Sequence, residues 1–136
     1  MKFKVEGSRR NKKFVESLLP SMLSQLKLEK SRKQLLVRIA NECGEQAGFT
    51  LDLTHVNGFY YVTLQPQKHL KDIGIVLAHE LVHVKQMAKG ILKEGADGSN
   101  YWAGRYYGSE TAYLDRPWEI EAFSKQELLL RRAIKE

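Results

Sequence analysis

Apolar residues recur at helical spacing from Arg9 to about Leu26. Phe14, Leu18, Met22 and Leu26 form one stripe, with Val15, Leu19 and Leu23 beside it, the pattern of a helix with one buried face. Pro20 falls inside that stripe and lacks a backbone N–H, so it is expected to kink or split the helix. After the charged stretch Glu29–Lys33 the pattern changes. Gln34–Ala40 reads as a strand, Asn41–Gly48 as a loop or short helix, and Phe49-Thr50-Leu51-Asp52-Leu53 alternates like a second strand. Asn57-Gly58 is a turn signal, and Phe59–Leu64 after it is rich in strand formers, so the last two strands are expected to pair as a hairpin.

Pro66 closes the strand region. A long helix is expected from about Lys68 to Lys89, with Gly90 as its left-handed cap. Leu77, Leu81, Val84 and Ala88 form one stripe of it, and Ile75 and Val76 add apolar surface around His79, which implies a central position in the fold. Residues 94–116 mix glycines with Tyr101, Trp102, Tyr106, Tyr107 and Tyr113 and read as an ordered loop or hairpin. A last helix opens near Asp115-Arg116-Pro117, with Glu119 and Glu121 early and Arg131, Arg132 and Lys135 late, an order that suits the helix dipole. The elements add up to an α+β fold: an N-terminal helix, a short sheet, a central helix and a C-terminal helix.

At 136 residues the chain suits one domain, residues 1–136. Met1–Glu6 lacks the apolar core of a signal peptide, and nothing approaches the roughly 20 apolar residues of a membrane span. The lone Cys43 excludes an internal disulfide and sits in a polar stretch without a neighbouring His, as a bystander thiol would. A soluble, cytoplasmic protein with no membrane partner is expected. Charge is uneven: residues 1–38 hold eleven Lys/Arg against three Glu, a balance of +8 in a chain of net +6. That basic third leaves weak contact with nucleic acid or an acidic partner open. Only Phe3 and Phe14 are aromatic within it, too few to interleave as a nucleic-acid motif would, so a solvated helix face is the plainer reading.

The chemistry concentrates in His79-Glu80-Leu81-Val82-His83. Residues four apart share a helix face, so His79 and His83 can turn their imidazoles to one zinc ion. Glu80 is rotated about 100° from His79, too far to be a natural ligand but placed to act as general base on a water that zinc acidifies. With four His in the chain, a shuffled sequence would hold this motif about 0.01 times. A catalytic zinc needs a third protein ligand and one open position. Gln86 and Lys89 stand where a metzincin would have Gly and His, and His55 and His69 are poorly placed. Glu119 shares a face with Ala122, Phe123 and Leu130, the side expected to pack inward, and is taken as third ligand. Glu121 shares its face with Lys125 and is expected to face solvent. Tyr113, ahead of that helix, is the first candidate to stabilise an oxyanion, with Tyr106 and Tyr107 behind it.

His79-Glu80-Leu81-Val82-His83 followed by Glu119-x-x-Ala122 on a second helix resembles the gluzincin branch of the zincin metallopeptidases. The small single-domain members of bacteria and phages, in the style of ImmA/IrrE-type peptidases, are most similar. The resemblance covers roughly residues 59–123. It implies a minimal zincin fold, zinc on His79, His83 and Glu119, Glu80 as base, and a protein or peptide substrate bound along a sheet edge. Phe59–Leu64, which directly precedes the motif helix, is the strand expected to offer that edge. The alternative is a DNA-associated, SprT-like protease or a nucleic-acid-binding protein using the basic N-terminal third.

Overall fold

Alternation of polar and apolar residues begins at the first residues of the chain. Lys2–Glu6 is a strand, β1, with Val5 buried and Lys2, Lys4 and Glu6 exposed. The computed structural model of the chain describes residues 1–135. A strand here differs from the expected opening on a helix. With only Phe3 and Val5 apolar, β1 is too short to signal itself, and the strand it pairs with lies some thirty residues on. Helix α1, Arg9–Gln25, then crosses to β2, Gln34–Ile39, which pairs parallel with β1. Pro20 does not split α1. It is exposed, as is Glu16, whose carbonyl loses its helical partner, so water can satisfy what the proline leaves open.

Strands β3, Gly48–Leu53, and β4, Phe59–Leu64, form the expected antiparallel hairpin, joined by the one-turn helix α2, Thr54–Asn57. The sheet order is β1-β2-β4-β3. This corrects the expected edge: β4 lies inside the sheet, parallel to β2 and antiparallel to β3, and β3 is the edge strand. Tyr60, Val62 and Leu64 of β4 are buried, as an interior strand requires, and sequence adjacency to the motif helix did not reveal it.

Helix α3, Leu70–Ala88, packs on one face of the sheet with α1. Gly90 follows at φ 72°, its N–H bonding to Met87 O and that of Ile91 to Gln86 O, the paired bonds of a Schellman ending. A small antiparallel sheet comes next, β5 (Leu92–Glu94), β6 (Asn100–Trp102) and β7 (Arg105–Tyr107), the ordered hairpin expected of this region. Helix α4, Pro117–Lys135, closes the fold against α3 and α1. The fold is α+β. No described helix is long and apolar enough to cross a membrane.

The three long helices meet at Gly74, where an added Cβ would lie 2.6 Å from Leu130 Cδ1 and 3.4 Å from Leu18 Cδ1. Gly74→Val should therefore overpack this junction and destabilise the fold by about 1–3 kcal/mol in urea unfolding; unchanged stability would show that α4 is free to move away.

Candidate metal centre

The motif residues lie in the second half of α3, where most of the helix is buried. Leu77, Leu81 and Val84 are buried, and so are His79, Glu80, His83 and Gln86. Burying four polar side chains in one stretch is costly unless each has a partner, and each has one.

His79 and His83 set their rings edge to face, 4.9 Å between centroids. Glu119, from the first turn of α4, reaches between them: its Oε1 stands 2.8 Å from His79 Nε2 and 3.1 Å from His83 Nε2. The other ring nitrogens turn to glutamines. Gln126 Oε1 lies 2.9 Å from His79 Nδ1, and Gln86 Oε1 lies 2.8 Å from His83 Nδ1.

Gln86 fixes the chemistry of His83. Its Nε2 donates to the Trp118 carbonyl at 3.0 Å and to Glu121 Oε1 at 3.2 Å. Its oxygen must therefore accept, and His83 Nδ1–H donates to it. That tautomer leaves the Nε2 lone pair directed at the Glu119 carboxylate, two acceptors facing each other across 3.1 Å. Such a pair calls for a cation. A proton on His83 is one answer: burial opposes the imidazolium, but Glu119 and Glu80 outweigh burial and hold its pKa above the ordinary value. Burial likewise works against the Glu119 carboxylate, yet hydrogen bonds from His79 and His83 bring its pKa down to about 2. A metal ion answers the same need.

His79, Glu80 and His83 each bring a ligand-capable atom within 4.8 Å of the others, so this buried group could hold a metal ion. The two carboxylates differ in what holds them. Glu80 Oε1 accepts a hydrogen bond from the Thr50 hydroxyl of β3 at 2.8 Å, and burial raises its pKa against the pull of His83, Thr50 and His79. Gly48 makes that contact between sheet and helix feasible. A Cβ there would meet Val76 Cγ1 at 2.8 Å, the Thr63 carbonyl oxygen at 3.0 Å and Glu80 Cγ at 3.4 Å.

The site opens on a cavity of about 670 Å³ between the start of β3, α3, α4 and the small sheet. Phe123 packs edge-on against His79, 4.6 Å between centroids. Tyr113, in a short 3₁₀ turn before α4, directs its hydroxyl to Glu119 Oε1 at 3.2 Å. Partial burial and the Glu119 charge push its pKa up to about 12, so the phenol stays protonated. Tyr106 and Tyr107 are elsewhere, one against Tyr101 and the other against Trp118. His55 and His69 are exposed. Cys43 is buried beside Thr63, and burial raises its thiol pKa.

No protein-family model, curated protein or solved structure matches this chain.

The structure brings together His79, Glu80, His83, Glu119 and Tyr113. Glu121 sits near Lys125, 3.8 Å away, as expected, but it is not merely a solvent-facing acid, because it also holds Gln86. Thr50, Gln86 and Gln126 were not among the sequence candidates. Gln86, seven residues after His79 and so on the same side of the helix, carried a faint signal as a polar residue in an apolar face. Gln86→Leu fills similar space but frees His83 Nδ1, and should weaken divalent-metal affinity about 10–100-fold without unfolding the protein. Competition with a chromophoric chelator measures this; unchanged affinity would mean that Gln86 does not orient His83.

Proposed function

We propose that the protein is a zinc-dependent metallopeptidase of gluzincin type, with zinc held by His79, His83 and Glu119 and with Glu80 as general base. The observation that carries the reading is the position of Glu119 Oε1, within 3.1 Å of both imidazole Nε2 atoms, while Glu80 stands alongside on a separate anchor, Thr50. These separations approach the roughly 3.3 Å between neighbouring ligand atoms on a tetrahedral ion with bonds of 2.0–2.1 Å. Two imidazoles and a carboxylate are also the donor set of hydrolytic zinc sites that keep one position open. Zinc supplies a Lewis acid there, polarising a substrate carbonyl and acidifying water.

Glu80 takes the proton of the attacking water and delivers it to the departing amine, and Thr50 keeps its carboxylate aimed into the cavity. Tyr113 donates its hydroxyl to the oxygen that gains charge as the carbonyl becomes tetrahedral. The substrate is a protein or peptide in extended form. Strand β3 has β4 on one side only, and Gly48, Phe49 and Thr50 line the cavity, so the free backbone groups of that edge can add a peptide as a further strand beside the zinc ligands. Cytoplasmic action on such substrates agrees with the single buried thiol.

Glu80→Gln preserves shape and can keep a hydrogen bond with Thr50, but it cannot accept the proton. Hydrolysis of a denatured protein substrate should fall by at least about 10²-fold while zinc content and unfolding temperature stay near wild type. Turnover within tenfold of wild type would assign the base to another residue.

A further inference from the structure

The face of the large sheet turned away from the helices carries a second, separate pattern. Register across the strands aligns Lys2, Gln34, Phe59 and Leu53 in one row and Lys4, Leu36, Tyr61 and Leu51 in the next. The opposite rows, through Val5, Val37 and Val62 or Leu35 and Tyr60, are the buried ones that meet α1 and α3. These two rows are half-exposed or exposed, with Leu51 42% exposed.

Two aromatic rings stand side by side at the centre of this face. Phe59 and Tyr61 lie two residues apart on β4, 5.8 Å between centroids and 35° between planes. Asn57 steadies the pair, donating to the Tyr61 hydroxyl at 2.8 Å and accepting from the Phe59 N–H at 3.0 Å. The flank is basic. Lys2 and Lys4 are exposed on β1, and Lys30, Arg32 and Lys33 are exposed in the segment entering β2. The Met1 ammonium bonds to the Glu29 carbonyl, which draws that segment to the same end of the sheet as Lys2. Along the sequence the basic third and the aromatic hairpin are far apart; pairing of β1, β2 and β4 brings them onto one surface.

We propose that this open sheet face binds a single-stranded nucleic acid, with bases stacked on Phe59 and Tyr61 and phosphates held by the Lys2–Lys4 flank. Adjacent rings on a sheet offer flat apolar surfaces at the scale of successive bases, and a basic rim tracks a phosphate backbone. A duplex keeps its bases stacked internally and cannot use the rings. A second copy of this chain would bring the lysine flank against another cationic sheet, so charge favours the polyanion. The surface lies on the opposite side of the sheet from His79 and Glu119 and does not depend on the metal centre.

The test is fluorescence anisotropy of the full chain with labelled oligo-dT and oligo-U of about ten nucleotides, and with a duplex of the same length. Both single strands should bind, more tightly than the duplex, with affinity falling as salt rises. The Phe59→Leu/Tyr61→Leu pair keeps the face apolar but removes the rings, and should weaken binding at least about tenfold. Lys2→Glu/Lys4→Glu, at exposed positions, should weaken binding and flatten the salt dependence. Glu80→Gln should bind as wild type. Duplex bound as tightly as single strand, affinity unchanged in the leucine pair, or a stable dimer formed through this face would each overturn the proposal.

Discussion

Two imidazoles that converge on one carboxylate oxygen in a buried space set the terms for the rest of the molecule. His79 Nε2 and His83 Nε2 each lie within hydrogen-bond distance of Glu119 Oε1, and Gln86 holds His83 in the tautomer whose Nε2 lone pair faces that oxygen. Unpaired, such a cluster would be costly to bury. With a cation among them it links α3 to α4, and the cost becomes affinity for that cation.

The surrounding architecture serves this arrangement at two close approaches. Gly74 leaves room for Leu130 of α4 against α3, and Gly48 lets the edge of the sheet come near enough for Thr50 to hold Glu80. The two carboxylates are thereby separated in role by their neighbours. One is fixed by imidazoles and strongly ionised, the other fixed by a hydroxyl and raised by burial. The same strand that supplies Thr50 is the free edge beside the cavity, so the element that orients Glu80 also borders that cavity.

Local signals in the sequence made much of this legible. Helical spacing placed His79 and His83 on one face, and the inward stripe of the last helix separated Glu119 from Glu121 because residues two apart on a helix face opposite ways. The hairpin of β3 and β4 followed from Asn57-Gly58 and strand-forming residues. What was missed depends on partners distant in the chain. Strand β1 is defined by pairing with β2, the interior place of β4 by having neighbours on both sides, and the roles of Thr50, Gln86 and Gln126 by contacts across 30, 32 to 35 and 47 residues. Pro20 is tolerated because its position on α1 is exposed, which periodicity alone did not convey.

The central claim is that Glu119, rather than its neighbour two residues on, completes a metal site with the two histidines. Zinc titration of wild type, Glu119→Ala and Glu121→Ala by calorimetry tests it most directly. One zinc per chain should bind tightly to wild type, Glu119→Ala should lose most of that affinity, and Glu121→Ala should keep the stoichiometry with the smaller loss expected from loosening Gln86. Tight zinc binding retained in Glu119→Ala, or lost only in Glu121→Ala, would contradict the account.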